Sequence, residues 1–471
     1  MRQFLERFSS IDMTVGQPWK KLLLFTVPLL IGNIFQQLYS TVDAIFLGRF
    51  VGDNALAAIG SSIPIFFLIL MLCMGVAMGA GIMASQYFGA KSREDLSYTI
   101  GTAITLTAIV SVFISIFVPL ITRHLLMLLN TPPEILDDGV LYLNIIMWGI
   151  LGVAYFNMLS GILRGIGEAI APLFYLITAS ILNIALNFFF IVVMRMGVYG
   201  AAIGTVIAQA LTAVLCLRKL MSMRDVFDMG FHYLIPKRKY VMQMLKIGVP
   251  TGASQAIFAI AMMVTQPLVN SFGAMFIATN VIVMRIDGFI MMPIFSFGNA
   301  MTVYTGQNVG AEKMDRVDSG TKQCMKIAIG TCITIVVLVL LFGRYIAGMF
   351  TETPEIVDLT MRMITILVVG YIAMSAGNVL WGVIRGAGDA ISPLWASVIN
   401  SVIIRLPSAY LLVYLIGRPE ALMYSLAASW TFGLILAVIV HRIGKWRTKG
   451  LVHKKAQAES ENEDDIAVFE G

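Results

Sequence analysis

Charge is scarce in this chain. Asp, Glu, Lys and Arg together make 13% of its 471 residues while apolar side chains make 58%, whereas water-soluble globular domains carry about 25% charged residues. The four cysteines, Cys73, Cys216, Cys324 and Cys332, form no CxxC pair, so neither a disulfide framework nor a zinc site is supported. Only four histidines occur, His124, His232, His441 and His453, in loops, in tails or at the end of an apolar run, which argues against a buried histidine relay for protons. No His/Glu cluster, Ser/His/Asp set or P-loop is found, so the chain does not read as an enzyme and a membrane-embedded catalyst ranks low. No cofactor is expected.

Long apolar runs are what the sequence has in abundance. A helix needs about 20 such residues to cross roughly 30 Å of hydrocarbon. Twelve runs qualify, near 22–47, 55–85, 96–121, 136–161, 170–193, 198–218, 241–268, 275–305, 320–343, 356–382, 391–415 and 420–442. The expected fold is an all-α polytopic membrane protein with twelve transmembrane helices, its partner the lipid bilayer of the cell membrane. If the N-terminus is cytoplasmic, inner segments hold 25 of the 33 basic residues and outer loops five, a bias that predicts both termini inside. That bias also accounts for the net charge of +6 without a nucleic-acid partner. The first apolar stretch is too long for a cleavable signal and is followed by another span. Residues 446–471, ending in "AQAESENEDDIAVFEG", read as a disordered cytoplasmic tail.

The chain repeats itself. "LRGIGEAIAPL" at 163–173 returns as "IRGAGDAISPL" at 384–394, identical at seven of eleven positions with an offset of 221. At the same offset "PPEI" (132–135) meets "TPEI" (353–356) and "QYFGA" (86–90) meets "QNVGA" (307–311), and Pro28 meets Pro250 at 222. Two homologous halves follow, an N-lobe over 1–218 and a C-lobe over 241–445, joined by a basic cytoplasmic linker at 219–240. Six spans per half is an even number, so both halves enter the membrane in the same direction, related by a pseudo-two-fold along the membrane normal. Parallel repeats of this kind are a transporter architecture, with alternating access between the halves.

"GQPWKKLLLFTVPLLIGNIFQQLYSTVDAIFLGRFVGDNALAAIG" (16–60), the paired RGxG turns and "GVYGAAIGTVIAQ" (197–209) closely resemble the multidrug and toxic compound extrusion (MATE) family over roughly residues 15 to 445. The resemblance implies a cation-coupled antiporter that exchanges H⁺ or Na⁺ for organic, often cationic drugs, acting as a monomer on small-molecule substrates. It also implies a cation site on the N-lobe, built in the family from an Asp on span 1, an Asn and commonly an Asp one turn later on span 5, and a Thr on span 6. Those positions here are Asp43, Asn183, Asn187 and Thr205. Asn187 departs from the family's commoner Asp. Where some relatives carry acids on spans 7 and 10, this chain has Gln255, Gln266 and Asn378, so coupling is expected in the N-lobe.

Elementary geometry agrees with that transfer. At 1.5 Å per residue, Asp43, Asn187 and Thr205 each lie ~10 Å below the expected outer surface. Asn183 and Asn187 are one turn apart and share a helix face. Carboxylate, amide carbonyl and hydroxyl are hard oxygen ligands suited to Na⁺, and the carboxylate also takes a proton. The bland alternative makes Asp43 an interfacial carboxylate paired with Arg49. Against it, Ser40, Gln36 and Asn33 continue a polar stripe inward at helical spacing, which a lipid-facing helix avoids. Pro28, Asn33, Gln36, Tyr39 and Ser40 are candidates for the substrate cavity or for bending span 1.

Three further charges, Arg285 and Asp287 on span 8 and Arg405 on span 11, read as buried C-lobe groups that line a cavity or pair structurally. Depths of ~20 and ~14 Å predict a buried Asp287–Arg405 pair. A flippase for lipid-linked oligosaccharide or peptidoglycan precursor is the second functional reading, disfavoured by twelve spans and few buried arginines.

Overall fold

The computed structural model describes residues 11–129 and 131–451, and every regular element among them is a helix. Spans 1 to 3 are Pro18–Phe50, Asp53–Gly89 and Arg93–Leu128. Span 4 is Pro133–Trp148 followed by Ile150–Gly165, span 5 is Ile170–Asn187 continued by a π-helical stretch Phe188–Val193, and span 6 is Gly197–Met221. Spans 7 to 10 are Arg238–Ser271, Ala274–Gly310, Met314–Gly348 and Pro354–Gly386. Span 11 runs Ile391–Val398, Ile399–Arg405 (π-helical) and Leu406–Ile416, and span 12 is Glu420–Ile443. Eleven spans are long and apolar enough to cross a membrane unbroken, and span 4 reaches that length as a pair bent by 49°. The bend falls at Gly149, where a Cβ would collide with the Val206 side chain of span 6.

The repeated motifs are helix ends. In both RGxG turns a glycine takes a left-handed backbone, Gly167 at φ +88° and Gly388 at φ +94°, which side-chain-bearing residues adopt only with strain. Gly167 N–H donates to the Arg164 carbonyl and Glu168 N–H to that of Leu163, at 2.9 and 2.8 Å. Gly388 and Asp389 repeat this on Arg385 and Ile384 at 2.9 and 3.1 Å, the crossed bonds that close a helix C-terminus. The acid that follows then opens the next helix. Glu168 Oε1 accepts from the amides of Ile170 and Ala171, and Asp389 Oδ1 from that of Ser392, satisfying donors that the first turn leaves unpaired. The PPEI and TPEI motifs place Pro133 and Pro354 in the first turns of spans 4 and 10 with Glu134 and Glu355 beside them, where a missing N–H costs nothing and negative charge suits the helix dipole.

The described chain forms two compact units. The first comprises residues up to Asp12 together with Pro28–Gly252, the second Met13–Val27 together with Ala253 onward. Within the first, span 4 packs against spans 2, 3 and 6; within the second, span 10 packs against spans 8, 9 and 12. The same neighbours recur because the same halves repeat. Leu143, Ile146, Met147 and Ile150 lead the core around span 4, and Met363, Ile364, Leu367 and Tyr371 lead that around span 10.

These units do not follow the repeat boundary at 219–240. Residues 219–252 belong to the first unit. Arg93 at the start of span 3 forms an ion pair with Asp228 at 2.8 Å and donates to the carbonyls of Arg224 and Asp225. The Tyr98 ring stacks on Tyr240, with centroids 5.3 Å apart, and carries Lys237 Nζ at 3.6 Å on its face. Gly248 of span 7 meets span 2 so closely that a Cβ would collide with the Gly75 carbonyl oxygen, the close approach that small residues permit between membrane helices. Conversely, Met13–Val27 belongs to the second unit. Met13 N–H donates to Gln307 Oε1, its carbonyl accepts from Asn308 and Arg316, and Lys313 Nζ donates to the Thr14 carbonyl. Spans 1 and 7 therefore pass from one unit to the other, span 1 at Pro28 and span 7 two residues after Pro250.

The tail also begins later than expected. Trp446 is fully buried, stacks on His441 and donates Nε1–H to the His441 carbonyl, while Arg447 forms an ion pair with Asp318. Residues 452–471 lie outside the described residues.

Candidate functional site

Spans 5 and 6 bring three of the expected N-half residues together. Asn187 ends the α-helical part of span 5, and the next residue starts its π-helical stretch. Such a stretch widens the turn and re-aims the side chains around it. Asn183 and Asn187 are 1% and 0% exposed. Asn187 Nδ2 donates to Asn183 Oδ1 at 3.0 Å, and Asn183 Nδ2 reaches Thr205 Oγ1 of span 6 at 3.5 Å. The i, i+4 spacing thus yields an amide ladder that continues onto a hydroxyl of the neighbouring helix.

Gly204 is the residue that sequence reasoning missed. A Cβ there would stand 2.7 Å from Asn187 Oδ1, so span 6 leaves room for that oxygen only by carrying no side chain next to Thr205. The signal was present in "YGAAIGTV", whose small residues line up on the helix that faces span 5. Two amide oxygens and a hydroxyl make a set of hard, uncharged oxygen donors, which suits an alkali cation when a carboxylate completes the charge.

On span 1, Pro28 is buried, Asn33 half-buried and Gln36 exposed. The helix continues through Pro28 without a break. Asp43, Tyr39 and Ser40 belong to the same helix, and their side chains, with that of Arg49, lie outside the described residues.

The C-half charges differ from expectation. Arg285 is exposed, Asp287 half-buried and Arg405 buried, so the three are not one buried set. Asp287 and Arg405 form no ion pair. Asp287 Oδ1 instead accepts a hydrogen bond from the Tyr371 hydroxyl of span 10, and Tyr371 packs against Trp430 with ring centroids 5.5 Å apart. The Arg405 guanidinium lies over the Phe258 ring of span 7 at 5.5 Å. Matched depths do not fix the direction in which each side chain points, and here the two face different helices. Gln266 Nε2 donates to Asn270, and Asn378 Nδ2 to the Met374 carbonyl one turn back. Among the described residues, no group of three or more His, Cys, Asp or Glu is placed to hold a metal ion.

Comparison with known proteins follows the same halves. The MatE family model matches twice, at residues 28–189 and 250–411. "Probable multidrug resistance protein YoeA" of Bacillus subtilis is 26% identical over 428 residues, covering 87% of this chain and 92% of its own. "Probable multidrug resistance protein YpnP" of the same organism is 27% identical over 445 residues, covering 94% and 99%. A crystal structure of MATE in complex with MaL6 superposes with a TM-score of 0.86 at 23% identity, covering 92% of this chain and 98% of that one.

Proposed function

The chain belongs to the MatE family of multi-pass membrane transporters, and from that premise we propose that it exports small organic molecules, drugs among them, by cation-coupled antiport. The observation that carries this reading is the ladder of buried Asn187 and Asn183 and half-buried Thr205, a polar constellation inside apolar helices. Intramembrane polar groups are costly and mark ion or substrate paths. The names of the relatives support drugs as substrate class.

Asp43 is the ionisable member of the proposed coupling site, with Asn183, Asn187 and Thr205 as its uncharged partners. Loading this site and loading the substrate site favour opposite-facing states, so cation entry is exchanged for substrate exit. With Asn at 187 the site has one carboxylate to neutralise, and we favour H⁺ over Na⁺ as the coupling ion. The bias of Lys and Arg supports a plasma-membrane placement with both termini cytoplasmic. Helix bending at Pro28 and a cavity wall that includes Asn33, Gln36, Tyr39 and Ser40 complete the proposal.

Transport by purified protein in liposomes, with ΔpH and ΔNa⁺ imposed separately, tests it. A pH gradient should drive dye accumulation, and Asp43→Asn should abolish the response while the protein still inserts. Gradient-driven transport by Asp43→Asn at the wild-type rate would overturn the coupling assignment.

A further inference from the structure

Several arginines in this chain have clear partners. Arg93, Arg123, Arg344 and Arg447 each hold a carboxylate, and Arg316 binds Asn308 and the carbonyls of Met13 and Gly16. Arg405 is different. It is 8% exposed, and its Nη1 is buried without a hydrogen-bond partner. The neighbouring hydroxyls are already committed: Ser408 and Ser425 share a hydrogen bond at 2.7 Å, and the one that does not donate to its neighbour donates to the Arg405 carbonyl, 3.1 Å from either. Asp287, the acid expected to pair with it, is held by Tyr371. Arg405 also closes the π-helical stretch of span 11, a distortion that recurs at functional sites.

A buried guanidinium without a counter-charge is expensive, and charges kept in that state are normally completed by a ligand or partner. Phe258 covers a face of the cation, and the N–H edge of a guanidinium binds a planar oxyanion through two parallel hydrogen bonds. We propose that Arg405 is the anion-binding centre of a substrate subsite in the second unit, and that the compounds held there carry a carboxylate beside an aromatic body that packs on Phe258. This rests on the export reading and narrows its substrate class to anionic or zwitterionic compounds, in contrast to the cationic drugs expected from family resemblance.

The test uses two dyes that share one xanthene ring, rhodamine 110 with a free carboxylate and rhodamine 123 with that carboxylate as its methyl ester. Binding to the purified full-length chain in a neutral detergent is read by fluorescence polarisation. A charged hydrogen-bonded pair predicts about tenfold tighter binding of the acid than of the ester. Arg405→Gln should bring that ratio to about one, and Arg405→Lys, which keeps the charge but not the fork, should retain part of it. The ratio is insensitive to a general loss of affinity, and the wild-type comparison needs no variant to fold. Absence of a preference in the wild-type chain overturns the proposal, as does an unchanged ratio in Arg405→Gln. Loss of the preference on adding phosphatidylglycerol would assign the cation to lipid headgroups and overturn it equally. Gradient-driven transport of the ester without preference for the acid would sink this inference and leave the export reading standing, whereas no transport of either dye would sink the export reading.

Discussion

Asn187 has two neighbours that decide what it does, Asn183 one turn back and the bare backbone of Gly204 across the helix interface. The first was legible in the sequence because i and i+4 share a face on any α-helix. The second was legible only as a run of small residues on span 6, since helix pairing and rotation decide which of them faces Asn187. Asp287 and Arg405 teach the same lesson from the other side: spacing along each helix suggested a pair, but Tyr371 and Phe258 show that the two side chains face elsewhere. If Asn187 belongs to the cation site, Asn187→Asp adds a second carboxylate that raises the cost of leaving the site empty. We expect Na⁺ to stimulate transport by this variant more than by the wild-type chain. An unchanged response to Na⁺, measured in liposomes at fixed pH, would remove Asn187 from the site.

The elements were the most legible level. Each of the twelve apolar runs is helical, span 4 as a bent pair, with ends at the expected positions or extended beyond them, the end of span 3 from 121 to Leu128, because a run of about 20 apolar residues has few alternatives in hydrocarbon. The π-helical stretches Phe188–Val193 and Ile399–Arg405 escaped notice, since apolar periodicity does not separate a widened turn from an ordinary one when both faces are apolar. The ends of spans 2 and 8 add a detail that their shared motif conceals. Lys91 and Glu312, equivalent residues just past QYFGA and QNVGA, take left-handed backbones at φ 55° and 56°, and both side chains are exposed. Strain of about 1–2 kcal/mol for a side-chain-bearing residue exceeds the ~0.4–1 kcal/mol that glycine loses through its freer unfolded state. Lys91→Gly and Glu312→Gly should therefore each stabilise by about 0.5 kcal/mol, seen as a higher thermal midpoint in detergent. A lower midpoint for both would show that side-chain contacts outweigh the backbone term.

For the whole molecule, a duplicated sequence suggests a cut at 219–240, yet the first compact unit keeps residues up to Gly252 and the second takes Met13–Val27. Repetition marks which segments descend from a common half, whereas membership of a unit is decided by what each segment packs against. A chain divided after Gly230 tests this. The fragment 1–230 would lack the part of span 7 that completes its unit, and 231–471 would lack the start of span 1. Neither should accumulate alone in the membrane fraction, and co-expression should restore both on an immunoblot. Either fragment reaching the wild-type level by itself would contradict that membership. The same exchange imposes an order on assembly in time. Met13 binds Gln307, which lies 294 residues downstream, so at about 5–20 residues per second the ribosome delivers the partner roughly 15–60 s after the arm itself. For that interval the arm before the first helix waits without its final contacts, and a segment made early is among the last to find its place.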